Sequence, residues 1–224
     1  MSVFTPAIIV MGAYLVGSIP TAYLVAKYKA GIDIREYGSG NVGAANLSSQ
    51  VGARFGIALG TFDCVVKGVL PVVIAGLLGQ SVAVQVAAGL AAVMGHNWSP
   101  FIGFTGGRGV ATVIGIIVGL GMWWEVLILA VILGAMGWLI FKDTAFWSFV
   151  SMISLPILAF LFDRPLEVVV MSIIIAVLLL LKRATANWRM PASDIGLVRV
   201  LVYRILWDRD VAKKFEWTSR LPGT

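Results

Sequence analysis

Residues 166–181 of the chain read LEVVVMSIIIAVLLLL, an apolar run interrupted only by Glu167, Ser172 and a small alanine. Residues 107–120 form a similar run with almost no polar face. A helix that is hydrophobic all round is buried in protein or lipid, whereas a surface helix of a soluble domain carries a polar stripe. The chain is 59% hydrophobic and 12% charged, and soluble domains carry about 25% charged residues. These features predict an all-α polytopic membrane protein.

The apolar runs predict about seven transmembrane helices, because roughly 20 residues are needed to cross a bilayer. The predicted spans are residues 3–26, 56–78, 82–102, 107–122, 125–141, 146–162 and 165–181. The fourth, fifth and seventh are short, so a count of five or six stays open. The first span lacks a basic segment before it and is expected to be retained as a helix rather than removed as a signal peptide.

Lysine and arginine fall mainly on one side of this predicted topology. If the N-terminus lies outside, one set of loops carries Lys27, Lys29, Arg35, Arg54, Arg108, Lys142, Lys182, Arg183 and Arg189. The opposite set carries only Arg164. The positive-inside rule then predicts an external N-terminus, a cytoplasmic C-terminus and a location in the inner cell membrane. The net charge of +6 follows from this bias and the tail, and a nucleic-acid partner is not expected because no compact basic domain exists.

The sequence divides into a predicted membrane domain, residues 1–190, and a cytoplasmic tail, residues 191–224. Pro191 marks the boundary, and Ser193 or Asp194 is suited to cap a following helix. Residues 195–207 predict an amphipathic helix on the membrane surface. Its apolar stripe comprises Val198, Leu201, Val202, Ile205 and Leu206. A strand stays open as an alternative because valines also alternate there, and residues 208–224 are expected to be polar and mobile.

A glycine-rich loop, residues 35–46 (REYGSGNVGAAN), follows the first predicted span. Irregular backbone is kept at a membrane mainly where it is buried in protein or lines a polar cavity. Gly38, Gly40 and Gly43 allow successive backbone N–H groups to form a concave anion site. Ser39, Asn41 and Asn46 add neutral hydrogen-bonding groups. This first loop is therefore predicted to bind a phosphorylated substrate, with a plain turn between helices as the alternative.

A second glycine-rich loop, residues 103–109 (GFTGGRG), leads directly into an apolar helix. Gly106, Gly107 and Arg108 would lie at the N-terminus of that helix, where free N–H groups and the helix dipole favour an anion. The guanidinium of Arg108 is suited to phosphate. The alternative is that Arg108 is only a positive-inside anchor beside a flexible turn.

Four other positions carry weaker signals. Asp63 and Lys67 lie four residues apart within a span and predict a buried ion pair, since charges inside a membrane usually pair or serve a pathway. His96, the only histidine, has no sequence neighbours that would complete a metal site, so it is a candidate for binding phosphate or for a structural hydrogen bond. The single cysteine allows neither an internal disulfide nor a cysteine metal site. No metal and no cofactor are expected.

The order and spacing of several motifs resemble the bacterial membrane-integral acyl-phosphate:glycerol-3-phosphate acyltransferases. The resemblance covers nearly the whole chain up to about residue 190. It is carried by Gly17-Ser18-Ile19-Pro20, Asp33-Ile34-Arg35-Glu36, Gly38-Ser39-Gly40-Asn41-Val42-Gly43-Ala44, Asp63 with Lys67-Gly68, Gly95-His96-Asn97 and Gly106-Gly107-Arg108-Gly109-Val110-Ala111-Thr112.

The resemblance implies a seven-helix fold with its active-site loops facing the cytoplasm. The segments around Ser39 and Gly107 are expected to meet at the inner leaflet and to hold a phosphoester between them. The implied reaction moves an acyl chain from acyl phosphate to the 1-hydroxyl of glycerol 3-phosphate, giving lysophosphatidic acid for phospholipid synthesis. The implied partners are these two substrates and membrane lipid, and a monomer is expected. The implied catalytic residues are Ser39, Asn41 and Arg108. The implied substrate-binding residues are Gly40, Gly43, Asn46, His96, Gly106, Gly107, Ser148 and Asn187.

The chain also departs from the family pattern at positions that hold cations or donors. Ala45 replaces a threonine, Ser49 and Ala145 replace arginines, and Ala184 replaces a histidine. Thr105 and Arg108 stand where the second motif has lysines, and Arg54, Arg183 and Arg189 are available to compensate. Two alternatives therefore stay open. One is a divergent member with another acceptor or with lipid-phosphate binding alone, and the other is a small-solute transporter.

Overall fold

A computed structural model describes residues 4–188 and 196–222 of the chain. Seven apolar helical stretches account for most of this structure. Five are long and apolar enough to cross a membrane: Thr5–Ala30, Ala53–Leu77, Trp123–Ile140, Thr144–Leu161 and Leu166–Trp188. Two are shorter, Val82–Asn97 and Val110–Gly119. The prediction of an all-α polytopic membrane protein is confirmed, and each of the seven predicted spans contains a helix among the described residues.

The helices follow one another with short connections. They are α1 (Thr5–Ser18), α2 (Thr21–Ala30), α3 (Ala44–Gln50), α4 (Ala53–Phe62), α5 (Leu70–Leu77), α6 (Val82–Asn97), α7 (Val110–Gly119), α8 (Trp123–Ala130), α9 (Thr144–Leu161), α10 (Leu166–Thr185), α11 (Leu197–Trp207) and α12 (Lys214–Thr218). Two π-helical segments, Asp63–Val69 and Val131–Ile140, extend α4 into α5 and lengthen α8. The third predicted span is shorter than expected because α6 ends at Asn97, before Pro100.

Small residues let the helices approach closely, as is typical of helix packing in membranes. Gly17 on α1 lies against α6, where an added Cβ would overlap the backbone of Ala92. Gly95 on α6 lies against α1, where an added Cβ would overlap the backbone of Tyr14. Gly68 and Gly115 form an equivalent contact between the π-helical segment and α7. This packing places α7 in the centre of the molecule, where Ile116 is fully buried.

The predicted ion pair inside the second span is present. Lys67 Nζ lies 2.9 Å from Asp63 Oδ1, and both side chains are buried. Lys67 also donates to the carbonyl of Ile19 at 2.7 Å, at the break between α1 and α2. Asp63 and Lys67 both lie in the π-helical segment, and such segments are frequent at functional sites. The pair therefore fixes α1 and α2 against the second span.

The tail contains the helix α11, in the region where a strand was the alternative. Val200 and Arg204 are its buried residues, whereas Val198 is 77% exposed and Val202 is 45% exposed. The predicted boundary at residues 190–191, the candidate caps Ser193 and Asp194, and Arg189 lie outside the described residues.

The polar end of the chain was expected to lack fixed contacts, and this expectation is wrong for several of its residues. The Arg220 side chain donates to the Gly38 carbonyl at 2.8 and 3.0 Å, and Gly38 N–H donates to the Arg220 carbonyl at 2.9 Å. Gln50 donates to the carbonyl of Thr218 at 3.1 Å. The tail thus returns to the first glycine-rich loop.

Candidate functional site

The two glycine-rich loops meet in the folded chain, as the sequence predicted. Val42 N–H donates to the carbonyl of Gly106 at 3.3 Å. The side chain of Asn187 joins both loops, because its Nδ2 donates to the carbonyls of Gly40 at 3.3 Å and Gly106 at 3.1 Å. Its Oδ1 accepts from Gly106 N–H at 3.1 Å. Asn187 therefore links the end of α10 to the two loops.

Asn46 shapes the first loop from within. Its Nδ2 donates to the carbonyls of Ile34, Tyr37 and Asn41 at 3.0–3.2 Å, and its Oδ1 accepts from Ser39 N–H at 3.3 Å. The Ser39 hydroxyl accepts from Asn41 N–H at 3.3 Å. Buried backbone groups need such partners outside regular structure. The loop is held by these contacts in one conformation.

Gly38 needs glycine for two reasons. Its φ is +54°, in the left-handed region that other residues rarely adopt. An added Cβ would also lie 2.5 Å from Asn46 Oδ1. The loop therefore depends on the absence of a side chain at this position.

Arg35 fixes the start of the first loop to the second. Its guanidinium pairs with Asp33, at distances of 2.5–3.1 Å, and donates to the carbonyl of Ile102 at 3.3 Å. The hydrogen bonds from Arg35 lower the pKa of the Asp33 carboxyl below its ordinary value. The Arg35–Asp33 pair thus favours the charged carboxylate and ties the loops together.

A cavity of about 310 Å³ opens between the first loop, the start of α7, and the facing ends of α9 and α10. Five predicted site residues line it: Asn41, Gly43, His96, Arg108 and Ser148. Three charged residues that the predicted site did not include also line it: Asp63, Arg183 and Asp208. The cavity therefore brings together part of the predicted site and a carboxylate from the tail.

The other predicted site residues do not line this cavity. They are Ser39, Gly40, Asn46, Gly106, Gly107 and Asn187. In the structure they form the hydrogen bonds that shape and join the two loops behind the cavity wall. Their proposed contacts with substrate stay predictions.

The start of α7 provides one anion-binding element. Gly109 precedes the helix with φ +74°, and Gly109, Val110 and Ala111 all line the cavity. The N–H groups of a first helical turn have no partner within the helix and attract negative charge. Arg108 stands directly before this turn and is buried, so a fixed cation and a helix N-terminus face the same space.

Arg108 is only partly satisfied by its neighbours. Its Nε donates to Asp208 Oδ1 at 2.6 Å. Its Nη1 is buried and has no hydrogen-bond partner among the residues that the structure describes. A buried donor without a partner is costly and usually signals a missing ligand or water.

Arg183 is a second cation on the cavity wall. Its Nη2 donates to Ser148 Oγ at 2.6 Å and to the carbonyl of Ala145 at 2.7 Å. Its Nε is buried and lacks a partner within residues 4–188 and 196–222. The guanidinium thus lies beside Ala145, where the family pattern has an arginine. The sequence named Arg183, with Arg54 and Arg189, as available to compensate for lost cations, and only the structure shows that Arg183 lines the cavity.

Two further departures from the family pattern, at Ala184 and Ser49, have different surroundings. The carbonyl of Ala184 accepts from Arg204 Nη1 at 3.0 Å, so a tail arginine lies where the family histidine would be. Ser49 is exposed and its hydroxyl donates back to the Ala45 carbonyl at 3.1 Å, so it adds no cation to the cavity. The chain has therefore lost one cation and moved another.

His96 lies deep in the cavity wall. Its Nδ1 is 3.8 Å from Asp63 Oδ2 and has no hydrogen-bond partner in the described part of the chain. A Cβ on Gly107 would overlap the imidazole ring. The glycine of the second loop therefore makes room for His96 beside the cavity.

A narrow apolar extension of about 20 Å³ continues from the polar cavity into the helices. The two share the lining residues Val110, Ile114, Leu133 and Ser148. Deeper in, the extension is lined by Val113, Leu129, Met152, Leu155, Ile175 and Leu179. The combined site therefore has a cationic polar end and an apolar end between α7, α8, α9 and α10.

Comparison with known proteins identifies the same family along most of the chain. A family model described as glycerol-3-phosphate acyltransferase matches residues 7–190. Glycerol-3-phosphate acyltransferase 5 of Dehalococcoides mccartyi is 34% identical over 219 residues, which cover 95% of this chain and 92% of the relative. The glycerol-3-phosphate acyltransferase of Trichlorobacter lovleyi is 38% identical over 190 residues, covering 82% of this chain and 93% of the relative.

Two crystal structures of PlsY, an integral membrane glycerol 3-phosphate acyltransferase, have similar folds. The glycerol 3-phosphate form has a TM-score of 0.74 and 33% identity, covering 80% of this chain and 88% of PlsY. The lysophosphatidic acid form has a TM-score of 0.71 and 30% identity, covering 91% of this chain and 98% of PlsY. The apolar helices, the joined glycine loops and these matches together show that the chain belongs to the glycerol-3-phosphate acyltransferase family of integral membrane proteins.

Proposed function

We propose that the protein transfers an acyl chain from acyl phosphate to the 1-hydroxyl of glycerol 3-phosphate, giving lysophosphatidic acid and inorganic phosphate. The observation that carries the proposal is the pair of unpartnered guanidinium nitrogens, Arg108 Nη1 and Arg183 Nε, found among the described residues on one cavity wall. Two cations with buried, unused donors suit a phosphate group, whose oxygens accept several charge-assisted hydrogen bonds.

The reaction asks for positioning and charge stabilisation more than for a covalent enzyme nucleophile. The glycerol oxygen attacks the acyl carbon, the bond from that carbon to the phosphate oxygen breaks, and the departing phosphate takes the hydroxyl proton. Arg108, Arg183 and the first turn of α7 would hold the phosphate of glycerol 3-phosphate and so direct its 1-hydroxyl toward the acyl carbon. Asn41 Oδ1 lines the same cavity, is buried and lacks a partner in the described chain, so it is suited to accept from a glycerol hydroxyl.

The apolar extension is the proposed site of the acyl chain. Its mouth joins the polar cavity at Ser148 and Val110, so the acyl carbon would lie where the two environments meet. The extension holds only about 20 Å³, and each buried methylene contributes about 0.8 kcal/mol. The helices that line the extension would therefore separate when the acyl chain binds. The free energy gained by burying the methylene groups of the acyl chain favours that separation.

The location we propose is the inner cell membrane, with both glycine loops and the tail facing the cytoplasm. The basic residues concentrated on one set of loops support this orientation. We propose further that α11 lies on the membrane surface, as the exposed side chains of Leu197, Val198 and Val202 suggest. We also propose a monomer as the active unit.

The test is acyl transfer by the purified protein in detergent or lipid vesicles, using palmitoyl phosphate and labelled glycerol 3-phosphate. The expected product is labelled lysophosphatidic acid together with one equivalent of phosphate. Palmitoyl-coenzyme A as donor and the Arg108→Ala variant serve as controls, and both are expected to give little product. Absence of transfer by protein whose helical content is verified by circular dichroism would reject the proposal.

A further inference from the structure

The tail forms a strap across the cavity mouth. We call residues 204–220 the tail strap. At one end it is fixed to α10, because Arg204 Nη1 donates to the carbonyl of Ala184 at 3.0 Å and Arg183 Nη1 donates to the carbonyl of Ile205 at 2.6 Å. At the other end it is fixed by the hydrogen bonds of Arg220 to Gly38 of the first loop. The matching family model ends at residue 190, so the strap lies beyond it.

Between these fixed ends the strap directs one carboxylate into the cavity. Asp208 adopts φ +53°, which ends α11 and turns its side chain toward the second loop. Its Oδ1 lies 2.6 Å from Arg108 Nε, and the Asp208 side chain is 17% exposed. Asp208 also lines the cavity together with Arg183. A carboxylate of the chain itself thus occupies part of the space proposed for a substrate phosphate.

We propose that Asp208 is a specificity-determining residue that holds Arg108 until a dianionic phosphate monoester displaces it. This inference rests on the proposed role of the cavity as a phosphate site.

The physical basis is a competition for one guanidinium. The Asp208 carboxylate makes one contact to Arg108 and leaves Arg108 Nη1 and Arg183 Nε without partners in the described structure. A phosphate dianion carries more charge and has three terminal oxygens, so it can engage the Nε and Nη2 edge of Arg108 in place of Asp208 and reach Arg183 with another oxygen. A ligand with a single carboxylate would only exchange one carboxylate for another. Asp208 therefore rejects acceptors that lack a dianionic group.

Competition by the chain's own carboxylate lowers the apparent affinity for every anion by the same factor, so a ligand with one carboxylate falls below detectable binding while a dianionic phosphate still binds. When the binding-competent state is only partly populated, the apparent dissociation constant rises by the inverse of that fraction. Asp208→Asn removes the competing charge while leaving the left-handed backbone acceptable, because asparagine tolerates this region. The variant is expected to bind inorganic phosphate about tenfold more tightly and to bind glycerate, a carboxylate analogue of the acceptor, which the native protein rejects.

The experiment is isothermal titration of the full-length purified protein with inorganic phosphate and, separately, with glycerate. Asp163→Asn is the matched control, since Asp163 is exposed, has φ +49° and lies in the turn between α9 and α10. It is expected to behave as the native protein. Asp208→Glu, which keeps the carboxylate, is expected to retain weak phosphate binding and rejection of glycerate.

In turnover, Asp208→Asn is expected to lower KM for glycerol 3-phosphate about tenfold while kcat changes less than threefold. Phosphate binding by Asp208→Asn that is no tighter than that of the native protein, including no detectable binding by either, would overturn the inference. So would a loss of kcat at unchanged KM. Phosphate binding is measured without turnover, whereas the acyl-transfer proposal is tested by the activity of the native enzyme. A failure of the Asp208 inference can therefore be distinguished from a failure of the acyl-transfer proposal.

Discussion

Arg108 combines two properties that a lysine at the same position would lack together. Its planar fork can contact two phosphate oxygens at once, and its charge is retained even when the side chain is buried. The side chain is buried and lines the cavity beside the first turn of α7. Phosphate binding by Arg108 therefore depends on where its individual guanidinium nitrogens lie.

Arg108→Ala should lower kcat/KM for glycerol 3-phosphate by at least about 100-fold, because it removes both phosphate contacts of the fork and each contributes roughly 1.5–3 kcal/mol. Arg108→Lys keeps the charge and loses the fork, so about a tenfold loss is expected. Steady-state kinetics at saturating palmitoyl phosphate measure both. Activity of the alanine variant within threefold of native would contradict a phosphate-binding role.

Arg183→Gln should raise KM for glycerol 3-phosphate by roughly 10- to 100-fold, since the residue supplies the second cation of the cavity. Arg199→Gln is the control, because Arg199 is an exposed arginine on α11. Arg183 also donates to the Ile205 carbonyl, so thermal unfolding is followed in parallel. An unchanged KM in folded Arg183→Gln would exclude the residue from substrate binding.

At the scale of elements, close contacts between helices determine where the cavity forms. Gly68 and Gly115 let the π-helical segment and α7 touch, and this brings Asp63 and the start of α7 to the same cavity. The sequence predicted both helices from their apolar runs. It did not predict the π-helical register, because a single extra residue per turn leaves the apolar composition unchanged.

Gly115→Ala should reduce the free energy of unfolding by about 1–3 kcal/mol, because its Cβ would overlap the carbonyl of Cys64 and force the helices apart. Gly134→Ala is the matched control, since Gly134 is also helical and has nothing within 4 Å of an added Cβ. It should be neutral or stabilising by up to about 1 kcal/mol. Thermal unfolding in detergent compares the two. Equal melting temperatures would show that the contact at Gly115 tolerates a methyl group.

At the scale of the whole molecule, the sequence predicted the membrane helices and the meeting of the two loops. Apolar composition is a local property, which is why runs such as residues 166–181 identify helices reliably. The contact between Arg108 and Asp208 joins residues 100 positions apart. Charge alone does not select Asp208 over Asp210 as the partner, so this part of the site could be found only in the folded chain.

The proposed topology places the tail and the turn between α9 and α10 on opposite sides of the membrane. Single cysteines at Asp163 and Glu216, in a Cys64→Ser background, should react differently with a membrane-impermeant maleimide. Both positions are exposed in the structure. The cysteine at 163 should be labelled in intact spheroplasts and the cysteine at 216 only after permeabilisation. The reverse labelling pattern would show that the topology is inverted. Equal labelling of the two positions would contradict their placement on opposite sides of the membrane.

The central claim is that both glycine loops, α7 and the two cavity arginines form one phosphate-binding active site. An experimental structure of the protein with bound glycerol 3-phosphate tests this most directly. The account predicts that the phosphate lies within hydrogen-bonding distance of Arg108 and Arg183 at the first turn of α7, with the 1-hydroxyl directed toward the mouth of the apolar extension. A phosphate bound elsewhere, with neither arginine in contact, would contradict it.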